Sequence, residues 1–423
     1  MAESLPPPRL RSPDRTAVLD ATPIDGLLDS DHQARVVWDF CLGLDLSPLL
    51  DLIRSRHGHP GRPALDPRLA IALWLYATLE GVGSARQLAT LCTLHNAFRW
   101  LCGGVSVNHH TLADVRVEHL EFLDALLTHS VAVLREQGLV DLNRVAHDGT
   151  RVRASAGAAS FRRKPTLEEC LREAEDQVAR LTEEMDDDPS ASSRQQASAR
   201  ERAARERVAR VEAALKRLPE LEAKKKPDER DRARCSTTDA EATVMKMADG
   251  GYRPAYNVHY AADTTSLVIV GVDVLTTGSD QGQLMPMVEQ IHERHGTYPA
   301  EYLADGGFGR HADSEAVAAK GVTVFTPVPA PKDASRDRHQ RLPGDRPVIA
   351  AWRERMGTED AKAVYKDRAA TAECVNAQAR NRGLRQFVVR GLAKVKAVAT
   401  WFAVAHNVAC GARLRAERVA VAG

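Results

Sequence analysis

The sequence predicts an α/β fold, a mixed sheet flanked by helices, with an all-α N-terminal domain ahead of it and a coiled-coil helical hairpin inserted into it. Three observations predict this. Strand-like runs bounded by turn residues gather in the later part of the chain, at 139–148, 255–262, 267–274, 301–305 and 322–328. Helical patterning fills 20–140 almost without strand signals, and it returns between and after the strands. A heptad pattern separates the first strand from the second.

The first 19 residues, beginning MAESLPPPRLRSPDR, read as a Pro-rich disordered leader with no apolar core of signal-peptide type. Residues 20–138 form the helical domain, expected to bind DNA. Asp66 caps a helix over 66–79, with Pro67 in its first turn and an apolar face behind it. Ser84 caps a short helix through Leu91, and a second helix carries Ala97, Phe98, Trp100 and Leu101 before Gly103 and Gly104 stop it. Two short helices joined by a tight turn are either a helix-turn-helix or part of a plain bundle. A further cap at Asn108 or Thr111 starts the helix that runs through Val115 and Leu120 toward Leu134.

The sheet domain is expected at 139–164 and 235–423. Its second and third strands, separated by Asp263, Thr264, Thr265 and Ser266, make a hairpin. A helix over 281–294, the strand at 301–305, a helix over 311–320 and the strand at 322–328 follow, and the chain from 348 to 419 reads as helical. This order is the layout of a ribonuclease-H-like domain. The insert, 165–234, has one seam of Leu167, Leu171, Ala174, Val178, Leu181 and Met185 and another of Ala204, Val208, Val211, Leu215 and Leu218. The Pro-containing break at 186–193 folds the two helices into an antiparallel pair. Its role is either a dimer contact, a DNA brace or a tolerated surface insertion.

Net charge is +1, so overall balance points to no polyanionic partner, but charge is distributed unevenly. Residues 144–164 hold six basic side chains and a single acid, Asp148; beyond Glu373 there are nine basic side chains and one acid, Glu417. Such stripes either bind phosphate backbones through counterion release or solubilise a helix. Seven scattered cysteines with no C-x-x-C pair indicate neither a zinc site nor a disulfide framework. No apolar run reaches the roughly 18 residues of a membrane span. A reducing cytoplasm, and association with the nucleoid, are the expected setting.

Three acids stand in informative surroundings: Asp148 in VAHDGTRVRAS, Asp305 in YLADGGFGR and Glu373 in YKDRAATAEC. Asp before Gly is also ordinary turn chemistry, and a lone Glu on a basic helix is commonly a solvated partner of its neighbours. Two carboxylates closing strands and a third on a later helix, far apart in sequence, can be gathered only by a folded domain. Together they offer hard oxygen ligands, without His or Cys, which suit Mg²⁺ and fit zinc poorly. A pair of such cations activates a water or sugar hydroxyl for attack on a phosphodiester.

These blocks, with GRPALDPRLAIALWLYATLEGVGSARQLATLC, AFRWLCGG, STTDAEATVMK and GYRPAYNVHYAAD, resemble the bacterial insertion-sequence transposases of the DDE class. The resemblance runs from about residue 25 to 408. It implies that Asp148, Asp305 and Glu373 are the catalytic residues and ligands of Mg²⁺, with Mn²⁺ as a substitute. Tyr365, Arg368 and Arg380 resemble the family's signature around the glutamate, and the resemblance implies DNA contacts from Arg368 and Arg380, beside the basic Arg151, Arg153, Arg382 and Arg385. Two departures stand out: Arg368 precedes Glu373 by five residues where the commonest form of the signature has four, and Arg380 replaces a lysine, changing a point charge into a planar fork. Tyr365 also reads as core packing. If one helix carries Glu373 and Arg380, they lie about two turns apart on nearly one face, while Arg368 is turned away from it. The implied activity is binding of terminal inverted repeats, metal-dependent cleavage and strand transfer into target DNA, by a homodimer with no membrane association. The alternatives are an inactive element-derived DNA-binding protein and a metal-dependent structure-specific nuclease.

Overall fold

In a computed structural model, residues 7–422 are described except 17, 20–21, 59–61, 188–190, 332 and 334. Residues 1–6 of the leader and the centre of the insert's break lie outside the described residues.

Among the described residues the N-terminal part is built on α1 (Gln33–Leu42), α2 (Pro67–Leu79), α3 (Ala85–Leu94), α4 (Asn96–Cys102), α5 (His109–Glu118) and α6 (Leu120–Glu136), with a single helical turn at Ser47–Leu50 between α1 and α2. The expected caps are in place: Asp66 accepts from Arg68 N at 2.8 Å, and Asn108 from His110 N at 2.9 Å. Helix α4 buries Ala97, Phe98, Trp100, Leu101 and Cys102, which leaves it little free surface to enter a groove and fits the bundle alternative. The leader departs from expectation. Leu10–Arg11 pairs with Ala64–Leu65, and the Arg15 guanidinium lies 3.9 Å from the ring centre of Trp38 and 4.6 Å from that of Trp100. Cation–π contact and backbone pairing supply what the composition did not announce.

The sheet begins with β1 (Arg144–Arg153). The insert follows as α7 (Lys164–Asp187) and α8 (Ala191–Ala223), antiparallel, since Leu167 near the start of α7 clusters with Ala214 and Leu218 late in α8 while Glu173 and Gln177, further along α7, meet the earlier Arg207. Leu167, Ala174, Ala204, Val211 and Leu218 of the seams are buried. Then come β2 (Thr243–Lys246), β3 (Tyr252–Asp263), β4 (Ile269–Leu275), α9 (Leu284–His295), β5 (Glu301–Ala304), α10 (His311–Ala318), β6 (Thr323–Phe325), α11 (Pro347–Met356), α12 (Glu359–Asn381) and α13 (Leu392–Ala422).

The sheet runs β4-β3-β1-β5-β6, with β2 also on β3. β3 is antiparallel to both of its neighbours, β1 and β4, whereas β5 lies parallel to both β1 and β6. This mixed sheet with helices on its faces is consistent with the ribonuclease-H-like expectation.

The strands differ from expectation in several places. β1 starts later, after Leu142 at φ 60°, and does not stop at Asp148, because Thr150 and Val152 continue the alternation opposite Val258 and Tyr256 of β3. The edge strand β2 was hidden by its brevity. β6 is shorter than 322–328 because Pro327 has no N–H to give to the ladder.

Helix α13 joins the two parts of the chain. Its centre is buried around Trp401, Phe402 and Val404, Trp401 donates to Arg116 O at 3.0 Å, and Asn407 exchanges two 2.8 Å hydrogen bonds with the Ile269 backbone of β4. Among the described residues no helix is long and apolar enough to cross a membrane.

Candidate active site

Sheet register brings the two aspartates together. On the parallel pair Ala304 lies opposite His147, so the next residue on each chain, Asp305 and Asp148, leaves the pair at the same level. Asp148 remains within the antiparallel ladder opposite Tyr260, and Asp305 turns into a short helical loop by accepting from Gly307 N at 2.7 Å. The crevice past the carboxyl ends of parallel strands is the usual place for chemistry in such sheets.

Helix α12 closes this crevice. Its start is capped by Thr358, which accepts from Ala361 N at 3.2 Å, and Tyr365 donates to Ala304 O at 3.3 Å. Arg368 extends to the aspartates, its terminal nitrogen 2.9 Å from Asp148 Oδ1 and 3.8 Å from Asp305 Oδ2. Two turns on, Asn376 donates to Asp148 Oδ2 at 3.0 Å. Both oxygens of Asp148 are therefore engaged from one helix.

Glu373 lies between these two positions, on a helix that is unbroken from Glu359 to Asn381. At about 100° per residue, it is displaced by about 60° from Asn376 and about 140° from Arg368. Its side chain is exposed, and it forms no hydrogen bond or ion pair with either aspartate. The structure thus joins Asp148 and Asp305 directly and holds Glu373 at the rim of the helix face that covers them. Among the described residues no three His, Cys, Asp or Glu side chains stand together as a ready-made metal cage.

The electrostatics follow from burial. The Asp148 carboxyl is pushed up by desolvation, against the pull of Arg368 and with Asp305 adding to the rise. Beneath it, His147 is fully buried and driven well below the usual imidazole range, first by desolvation, then by His259 and Arg368. His147 Nε2 is 2.9 Å from His259 Nδ1, and His259 Nε2 is 3.2 Å from Asp280 Oδ1. Asn257 donates to the same Asp280 oxygen at 2.6 Å. Burial alone would lift Asp280, but the bonds from His259 and Asn257 hold its carboxyl below the ordinary range.

Sequence reasoning missed His147, Asn257, His259, Asp280 and Asn376. A signal existed: Asn257 and His259 alternate as polar residues on one face of an otherwise apolar strand.

The basic residues divide. Backbone bonds from Arg153 N to Arg385 O (3.2 Å) and from Phe387 N to Arg153 O (2.8 Å) lay the segment after α12 along the end of β1. Arg151, Arg153, Arg380 and Arg385, from two separate basic stretches, are exposed in this region. Arg151 donates to Gly278 O at 2.7 Å, and Arg385 to Arg380 O at 3.0 Å. Arg382 does not join them. Its guanidinium turns inward, one nitrogen is buried without a partner, and desolvation lowers its pKa in the neighbourhood of Cys410 and His406. Arg368, expected at DNA, is spent on the aspartates.

The donor set fits a hard cation. Mg²⁺ is commonly held by one or two carboxylates plus substrate phosphate and keeps several waters, so a pair of neighbouring aspartates without a complete protein cage suits it. The nearby histidines are buried below the aspartates and bonded to one another and to Asp280.

Residues 24–118 match the model of a transposase domain (DUF772), and residues 336–410 match the model of a transposase DDE domain. The second match contains Arg368, Glu373, Asn376 and Arg380; Asp148 and Asp305 lie between the two. No curated protein and no solved structure matches the chain.

Proposed function

From the premise that the chain belongs to the insertion-sequence transposases of the DDE class, we propose that it binds the terminal inverted repeats of its element, cleaves the phosphodiester at each end and joins the freed 3′ hydroxyl to target DNA. One observation carries the reading: Asp148 and Asp305, 157 residues apart, stand at one level where two neighbouring parallel strands part, and share a guanidinium from the helix that bears Glu373.

Asp148 and Asp305 would hold a divalent cation, Mg²⁺ or Mn²⁺, with Glu373 completing the set from α12. When bound, such a cation polarises a phosphoryl oxygen and lowers the pKa of a coordinated water. The protein's share is positioning. Asn376 fixes one oxygen of Asp148, and a cation bound at the other would take the place that the Arg368 guanidinium holds between the two aspartates. Arg151, Arg153, Arg380 and Arg385 supply phosphate contacts beside the crevice, and their positive charge offsets the repulsion between the DNA backbone and the carboxylates. Cleavage and joining are both in-line displacements at phosphorus, so a single site serves both. Holding two ends at once calls for two copies of the chain.

The test is end cleavage on DNA carrying the flanking repeats, in Mg²⁺ and in chelator. Asp148→Asn, Asp305→Asn and Glu373→Gln are each expected to leave repeat binding intact and to give no cleavage product. Cleavage retained in one variant removes that residue from the assignment. Binding without cleavage by the unaltered protein would favour a non-catalytic DNA binder, and cleavage without strand-transfer product a nuclease.

A further inference from the structure

We propose that Asp280 is a positioning residue of this site, a carboxylate pinned on one oxygen from inside the sheet that presents its other oxygen to the water shell of the cation held by Asp148 and Asp305. The inference rests on the phosphodiester reading above and deepens it.

Asp280 lies in the loop between β4 and α9, and its side chain is only 14% exposed. Two glycines show how closely it abuts the aspartates. A Cβ placed on Gly149, the residue after Asp148, would fall 2.8 Å from Asp280 Oδ1; one placed on Gly307, two residues after Asp305, would fall 3.4 Å from Asp280 Oδ2. The carboxylate therefore rests against the glycine that follows Asp148 in β1 and against the loop beyond Asp305. Oδ1 is occupied by Asn257 Nδ2 at 2.6 Å and faces His259 Nε2 at 3.2 Å, whereas Oδ2 has the Arg151 guanidinium 4.0 Å away.

A second observation points into the same space. Asn257 is fully buried, its Oδ1 has no partner, and that oxygen would lie 2.9 Å from the Gly149 Cβ position. An unpaired buried acceptor beside a carboxylate is costly unless a donor such as an ordered water reaches it. Mg²⁺ keeps several of its waters, and groups that hydrogen-bond a metal's ligands change its affinity by about 10- to 100-fold when removed. A carboxylate with one oxygen fixed and the other facing the site has the chemistry to receive such waters. Asp280→Asn preserves shape and the Asn257 bond while removing the charge.

The experiment is a Mn²⁺ titration of the full chain without DNA, followed by loss of the free-ion electron paramagnetic resonance signal and by the metal-induced rise in Tm. The unaltered protein is expected to bind, Asp148→Asn to lose binding, and Asp280→Asn to bind about 10- to 100-fold more weakly with its metal-free Tm changed little. A purely structural role would move the metal-free Tm and leave Mn²⁺ affinity alone, and that result overturns the proposal. Equal affinity in Asp280→Asn and the unaltered protein, with Asp148→Asn defective, overturns it while the site reading survives. Absence of Mn²⁺ binding by the unaltered protein removes the site reading and this inference with it. Should Asp280→Asn fail to fold, Asn257→Ser, which unpins the carboxylate but keeps it, is read instead: a several-fold loss of affinity supports the proposal, and an unchanged affinity overturns it.

Discussion

At the scale of single residues, burial sets what each ionisable group can do. His406 is fully buried in α13, bonded through Nε2 to Leu267 O at 2.8 Å, and desolvation brings its pKa down to about 4. A base depressed in the folded state contributes stability that is whole above its unfolded pKa near 6.5 and is lost as pH falls toward about 4. His406→Gln is therefore expected to flatten the decline in unfolding free energy across that window, by on the order of 3 kcal/mol. Urea denaturation at intervals from pH 7 to 4 checks it, and a variant whose decline parallels that of the parent refutes it. Single residues of the site divide in the same way. Asp148, Asp305 and Glu373 could be singled out as candidates because turn chemistry and family blocks mark them, whereas Asn376 and Asp280 acquire meaning only from what they touch.

At the scale of elements, capping and periodicity did most of the specification. The heptad seams foretold an antiparallel pair, and Asp66, Ser84 and Asn108 stand at the starts of α2, α3 and α5. Helix α12 matters most, because one element carries Tyr365, Arg368, Glu373, Asn376 and Arg380. Its N-terminus depends on Thr358, whose hydroxyl accepts from Ala361 N. Thr358→Ala is expected to cost about 1 kcal/mol in chemical denaturation, and a change indistinguishable from zero would show that packing against the strands alone fixes the helix. What the sequence left open here was which residues face the sheet. A five-residue step turns Arg368 away from Glu373 on the helix, and it is Arg368, not Glu373, whose direction meets the aspartates.

At the scale of the whole molecule, the N-terminal helices and the sheet share one core. The cluster that holds Leu73, Trp74 and Phe98 is continuous with Tyr256, Val258 and Tyr260 of β3 and with Trp401 and Phe402 of α13. Arg294 of α9 also pairs with Asp124 of α6 across the two parts. Residues 24–118 and the sheet are accordingly expected to unfold together, in a single calorimetric transition. A separate transition for the helical part, by calorimetry or by protease-resistant fragments, would contradict a common core. The boundary drawn at 138 from composition separates kinds of secondary structure, and packing does not respect it.

By itself the sequence determined the kinds of elements, their order and the acids and bases available, because periodicity, caps and turn residues act over a few neighbours. Only the tertiary structure decided that β1 and β5 pair so that Asp148 and Asp305 come level, that α12 points Arg368 and Asn376 at them, and that Arg382 turns inward. Those choices depend on strand register and on which helix face is buried, and both are settled by contacts between residues hundreds of positions apart.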